Sequence, residues 1–184
     1  FSSIGDIILT TSPLQSLQNA FPSSRIDVIT LREFSPLLEG VSFINNIIPF
    51  DRNANLIQLL RTGGWINDSD YDLIIDFHNS LRSRIILSLI RGIPIRILKK
   101  PRWKRFLLFR FRKNKFEKDF SQLNLLHSPI SNLISSNTKP LPKLYVSDVE
   151  KNDANQILEK KGLKNDYIAV VPGAAWSQKV WSAE

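Results

Sequence analysis

Short runs dense in Ile and Val alternate along this chain with longer stretches whose apolar residues recur at helical spacing. Residues 25–30 (RIDVIT), 46–50 (NIIPF), 71–77 (YDLIIDF) and 167–171 (YIAVV) read as short buried strands bounded by turn residues. Helices are predicted between them. Ser12 as N-cap and Pro13 at the first helical position mark the expected start of the first, with Leu14, Leu17 and Phe21 on its inner face. Residues 1–6 are then expected to form the loop before it. Ser35-Pro36 predicts a short helix, followed by helices over 53–61 and 80–91, the latter stopped by Gly92 and Pro94. Residues 148–161 have an acidic start, a basic end and Gly162 just beyond, which predicts a helix with its dipole complemented.

This alternation predicts an α/β fold with a doubly wound parallel sheet. In such sheets ligands meet the carboxyl ends of the strands. A first strand is expected ahead of the loop and is missing from the sequence. Residues 135–142 (SSNTKPLP) read as loop, and a second α/β domain is expected to open at the 167–171 strand. The expected division is a first domain over 1–150, a linker region over 151–164 and the start of a second domain over 165–184.

Composition narrows the chemistry. The 184 residues suffice for an ordinary core without a covalent staple. Cysteine is absent, which excludes disulfides, thiolate metal sites and thiol catalysis, and only His78 and His127 are available as imidazole ligands. No run approaches the ~18 apolar residues of a membrane span, and no signal peptide is visible, so the expected compartment is the cytoplasm. The chain has no Met and is expected to be a piece of a longer protein, cut at both ends.

The net charge of +8 is concentrated. Residues 82–118 hold fourteen Lys or Arg and a single acid, Glu117, while the remainder is net acidic. Such a segment implies an anionic partner: phosphorylated lipid, nucleic acid or an acidic sugar. Residues 102–113 (RWKRFLLFRFRK) set Trp103, Phe106, Leu107 and Phe111 near helical spacing between cations. That pattern suits a basic amphipathic helix on a membrane surface, and equally a core helix with a solvated basic face.

Three stretches are candidates for chemistry. In Ser2-Ser3-Ile4-Gly5-Asp6, Gly5 permits close backbone approach and Asp6 is a candidate general base or a helix cap. In residues 171–181 (VPGAAWSQKVW), Gly173 and its neighbours offer N–H groups to a phosphate and Lys179 adds charge, unless the stretch is an ordinary strand-to-helix turn. In residues 76–84 (DFHNSLRSR), His78 is an acid or base, or a hydrogen-bonded loop histidine. Arg82 and Arg84 at a helix start oppose its dipole and hint at an anion. Asp70, Asp72 and Asp76 flank a strand rather than a metal loop, so no metal is expected. Neither the dinucleotide glycine triad nor a phosphate loop ending in Gly-Lys-Ser/Thr is present. His127 is expected as a partly buried helix residue.

Together FSSIGDIILTTSPL, YDLIIDFHNSLRS and VPGAAWSQKVW resemble, in that order, glycosyltransferase family 9, the ADP-heptose:lipopolysaccharide heptosyltransferases. The resemblance implies a GT-B arrangement of two Rossmann-like domains facing a cleft, with most of the acceptor domain present and the donor domain truncated. It implies an inverting transfer of heptose from ADP-heptose to the lipopolysaccharide inner core, with Asp6 as the base. Ser2, Ser3 and Gly5 would line the site beside it. Gly173, Ala174, Ala175 and Lys179 would meet the donor diphosphate. Arg82, Arg84 and His78 would face an anionic, lipid-linked saccharide acceptor. Arg102, Trp103, Lys104, Arg105 and Arg112 would hold the protein to the inner face of the inner membrane.

No cofactor is implied beyond the nucleotide-sugar co-substrate, and the piece alone is expected to be inactive. Many family members carry Gln-Gly where His78-Asn79 stands, and Lys-Arg-Trp where Lys179-Val180-Trp181 stands. Ala174-Ala175 lack hydroxyls, so phosphate contacts there would come from backbone N–H groups. Two other readings remain open: a relative that uses another nucleotide sugar or has lost activity, and a basic nucleic-acid-binding α/β module.

Overall fold

The computed structural model describes residues 3–135, 139–163, 167–171, 173 and 180–181. The chain divides into two compact units, residues 1–145 and 146–184. The first is α/β with parallel sheets. It runs α1 (Ile4–Ala20), β1 (Asp27–Leu31), a 3-10 turn (Arg32–Leu38), β2 (Asn46–Phe50), α2 (Leu56–Asn67), β3 (Ile74–Asp76), α3 (Leu81–Leu87), β4 (Ile95–Ile97), α4 (Arg102–Phe111) and α5 (Gln122–His127). Strand β1 pairs with β2 in parallel, and β3 with β4 in parallel, as two two-stranded sheets. The connections from β1 to β2 and from β3 to β4 therefore cross over, as parallel pairing requires. Pro49 lies within β2, which among the described residues has a partner on one side only, the place where a strand tolerates a missing N–H.

Helix α1 corrects the expected start at Pro13. It begins at Ile4, with Ser3 as N-cap and Pro13 inside it, so residues 4–6 are helix rather than loop. The reason is tertiary. Thr10, Thr11, Ser12 and Ser16 are buried. The Thr10 and Thr11 hydroxyls donate back to the Ile7 and Ile8 carbonyls, at 2.6 and 2.7 Å. The returning segment before Tyr145 docks on this polar stripe. Ser12 Oγ donates to the Pro140 carbonyl, and the Lys143 N–H donates to Thr11 Oγ1 at 3.0 Å. A Ser-Pro pair that reads locally as a helix start is here a docking stripe in mid-helix.

The core beside α1 contains Ile7, Phe34, Leu38 and Val41, with Val28, Leu31, Ile44, Ile47 and Tyr145 packed around them. On the other flank His127 is 2% exposed, with Nε2 3.1 Å from Ser16 Oγ and Nδ1 2.9 Å from the Leu123 carbonyl. A carbonyl only accepts, so Nδ1 carries the proton and Nε2 accepts from the serine. His127 is thus a satisfied core residue that ties α5 to α1.

The second unit contains α6 (Asp148–Lys160), with a capping box between Ser147 and Glu150. This helix occupies most of the expected 151–164 linker. Residues 167–171, expected as a strand, are not one: they pair with nothing among the described residues, and Ile168 is 92% exposed. An apolar run becomes a strand only where a neighbour takes its backbone hydrogen bonds.

Candidate functional site

The segments just beyond β3 and β4 carry His78 and Lys100, and both lie within electrostatic reach of Asp6 in the first turn of α1. Strand β3 ends at Asp76, whose Oδ1 accepts the backbone N–H groups of His78 and Asn79, each at 2.8 Å. Its Oδ2 is buried and makes no hydrogen bond. Asn79 turns the chain into α3 through a left-handed conformation, φ 48°, which Asn adopts more readily than most residues. Its Nδ2 donates to the Leu98 carbonyl just beyond β4 at 2.8 Å, and its Oδ1 accepts from Arg84 Nε at 3.0 Å. Its carbonyl accepts from Arg102 at 2.8 Å. One buried asparagine therefore joins the ends of β3 and β4 to α3 and α4.

Asp6 is the third residue of α1, its backbone N–H donating to Ser3 Oγ at 3.3 Å. Electrostatically it faces both His78 and Lys100. Burial is the first cause that lowers the His78 imidazole to about 4, and neighbouring positive charge, Lys100 included, adds to it; Asp76 and Asp6 act in the opposite sense. At neutral pH His78 is a neutral hydrogen-bonding group, not an imidazolium acid. Burial likewise lowers the Lys100 ammonium, Arg102 and Arg105 lower it further, and Asp6 and Asp76 oppose them. Asp6, Asp76, His78 and Lys100 form one electrostatic cluster.

Lys100 is the residue that the sequence reading missed. The strand that places it, β4, is only three residues long (Ile95–Ile97), too short for alternation to reveal. The available signal was the short run Ile95-Arg96-Ile97-Leu98 after Gly92 and Pro94, followed by Lys99-Lys100.

The other expected residues fall into separate places. Gly5 has open space where a side chain would begin. Arg84 is spent on Asn79, whereas Arg82 donates to the Arg52 carbonyl at the carboxyl end of β2. Asn79, Arg84, Leu87, Ser88, Ile97 and Lys99 line an open depression beside the cluster. Gly173 belongs to the second unit. Ser2, Ala174, Ala175 and Lys179 lie outside the described residues. Among the described residues no three His, Asp or Glu side chains group as metal ligands.

Helix α4 forms where the basic amphipathic pattern predicts. Trp103 and Phe106 stack at 5.4 Å, and Trp103 and Phe109 are 68% and 77% exposed. Its cations divide by role. Arg102 reaches Asn79, and Arg105 reaches Gln122 at 3.2 Å, so both hold the helix to the first unit. Lys104 pairs with Glu117 at 3.4 Å on the exposed side, and Arg112 is the C-cap, in the left-handed region. Among the described residues no helix is long and apolar enough to cross a membrane.

Comparisons with known proteins bear on the family and the fold. The family model of glycosyltransferase family 9 (heptosyltransferase) matches residues 60–184, a span that holds His78 and Lys100 and begins after Asp6. The chain is 23% identical over 197 residues to lipopolysaccharide heptosyltransferase 3 of Escherichia coli K12, covering 96% of this chain and 53% of that protein. It is 28% identical over 103 residues to lipopolysaccharide heptosyltransferase 1 of Pseudomonas aeruginosa, covering 51% of this chain and 29% of that protein. The fold matches the crystal structure of the glycosyl transferase family 9 from Veillonella parvula DSM 2008 at a TM-score of 0.73 and 19% identity, over 98% of this chain and 54% of that one. The chain spans about half the length of the full-length relatives it matches. With more than half of its residues inside the family model, and the same α/β architecture, the chain belongs to glycosyltransferase family 9.

Proposed function

We propose that this chain carries the acceptor side of a heptosyltransferase, which moves a heptose from ADP-heptose onto the inner core of lipopolysaccharide with inversion. The observation that carries the reading is the placement of Asp6. It stands in the first turn of α1, within electrostatic reach of a lysine and a neutral histidine that follow β4 and β3.

The acceptor hydroxyl attacks the anomeric carbon as the bond to the diphosphate breaks. Asp6 takes the hydroxyl proton, and the transition state has oxocarbenium character. Neutral His78 orients a sugar hydroxyl by hydrogen bonding. Lys100 and the cations behind it draw anionic groups of the acceptor towards the base. The leaving ADP gains negative charge, which Lys179 and the backbone N–H groups around Gly173 offset without a metal.

The test uses the longer protein that contains this chain. It is incubated with ADP-heptose and a Kdo-bearing lipid A, and addition of one heptose is read by mass spectrometry. Asp6→Asn is expected to slow turnover by about 10²–10⁴-fold. Near-normal turnover in that variant overturns the base assignment. No heptose addition by the wild type overturns the choice of substrate.

The exposed Trp103 and Phe109 among cations support a peripheral position on an anionic membrane. Reversing Lys104, Arg110 and Arg112 leaves the anchors Arg102 and Arg105 in place and is expected to weaken binding to anionic vesicles. Unchanged binding overturns this position.

A further inference from the structure

Asp76, the last residue of β3, closes a ring of hydrogen bonds with two other residues. Its backbone carbonyl accepts from the Leu98 N–H at 2.9 Å. The Leu98 carbonyl accepts from Asn79 Nδ2 at 2.8 Å. The Asn79 N–H returns to Asp76 Oδ1 at 2.8 Å, beside the N–H of His78. The segments that leave β3 and β4 are therefore fixed to each other through this one side chain. The first carries His78, and the second carries Lys100, two residues beyond Leu98.

The ring uses only one carboxylate oxygen. Asp76 is 8% exposed, and its Oδ2 is buried with no donor. An asparagine builds the same turn with its side-chain carbonyl and carries no charge. Burying a carboxylate with an unpaired oxygen costs more than burying that amide, so the turn alone does not call for an acid. What the acid adds is charge, and surroundings of low dielectric screen it little.

That charge has a use close by. Burial disfavours the Lys100 ammonium, Arg102 and Arg105 of α4 disfavour it further, and Asp6 of α1 and Asp76 are the acids that oppose them. The two acids have different fates in the proposed transfer. Asp6 takes the acceptor proton and is neutral once it has done so. Asp76 Oδ1 is occupied by two N–H groups and Oδ2 is shut off from solvent, so no acceptor hydroxyl reaches it and its charge persists.

We propose that Asp76 is a positioning residue of this site: its Oδ1 sets His78 against Lys100, and its carboxylate is the standing counter-charge that keeps Lys100 an ammonium for an anionic acceptor. The role in transfer rests on the heptosyltransferase reading, and the hold on Lys100 does not.

The test follows the carbon-13 shift of Lys100 Cε, assigned by its loss in Lys100→Arg, in the longer protein that contains this chain and without substrate. Asp76→Asn keeps an acceptor for both N–H groups and removes the charge. The Lys100 titration is expected to move to lower pH in Asp76→Asn and to stay near that of the wild type in Asp76→Glu. In the heptose-transfer assay, kcat/KM of Asp76→Asn is expected to fall about tenfold or more, with its alkaline limb moved to lower pH. Asp76→Ser, whose hydroxyl also accepts N–H groups in such a turn, repeats the reading should the amide variant not fold. A Lys100 titration that does not move in the neutral variant overturns the proposal, whatever the donor sugar proves to be. A moved titration with unchanged kcat/KM overturns the role in transfer. A moved titration in a protein that transfers no heptose supports the hold of Asp76 on Lys100 and overturns the substrate alone. Failure of both neutral variants to fold overturns the proposal in favour of an acid that serves only the fold.

Discussion

The Tyr71 hydroxyl donates to Asp27 Oδ2 at 2.8 Å, and this bond ties the start of β1 to the segment just ahead of β3, a strand that does not pair with β1. The Asp27 side chain is 3% exposed. Burial by itself raises its carboxyl, but hydrogen bonds from Tyr71, Arg25 and Asn46 outweigh that and hold it below the usual aspartate range. Tyr71→Phe deletes one donor from a buried carboxylate and is expected to cost about 1.5–3 kcal/mol. Urea denaturation at pH 7 reads this directly. A loss within error of zero would mean that the remaining donors satisfy Asp27 alone.

Adjacent glycines in α2 are expected to respond with opposite signs. A Cβ on Gly63 would run into the Ile86 carbonyl oxygen of α3, a backbone atom that cannot turn aside. Gly63→Ala should therefore destabilise by about 1–3 kcal/mol through overpacking. A Cβ on Gly64 meets nothing within 4 Å, so Gly64→Ala should stabilise by about 0.5–1 kcal/mol through helix propensity. Thermal melts of the two variants decide it, and a shared sign would refute the packing of α2 on α3.

Asn79 combines a left-handed backbone with three tertiary hydrogen bonds. Asn79→Ala and Asn79→Gly both lose the two side-chain bonds. Only Ala adds the Cβ clash of the left-handed region, so Ala should be the worse by about 1 kcal/mol. Equal losses would show that backbone strain at this turn is negligible.

Acid should weaken the fold through the two buried histidines. Burial lowers both imidazoles in the folded chain, His78 to about 4. Between about pH 6.5 and pH 4 the unfolded chain binds protons there that the folded chain refuses. Stability is therefore full above pH 6.5 and falls as pH drops through this window. His78→Gln with His127→Gln should flatten the dependence of the denaturation midpoint between pH 7 and pH 4.5. A wild-type slope in the double variant would place the pH sensitivity elsewhere.

Much of the site was legible in short stretches. The helix starts near residues 80 and 148, helix α4 and the alternation of β and α depend on contacts a few residues apart, which residue type and spacing encode. Asp6 and His78 were recognisable as candidates because each belongs to a motif of the family. Lys100 was not, because its role depends on a three-residue strand and on two acids, Asp6 and Asp76, that are distant from it in sequence.

The α/β class, the order of most elements, the basic amphipathic helix and the resemblance to the family can all be read from the order of residues. Tertiary structure alone decided that α1 starts at Ile4, that Ser12 is a buried docking point, and that residues 71–77 contribute only three residues to a strand. It also decided that residues 167–171 form none. The division has one physical cause. A helix satisfies its backbone within one turn of its own chain, so its signal is local. A strand, and a buried polar group, exists only where a distant segment arrives to complete its hydrogen bonds.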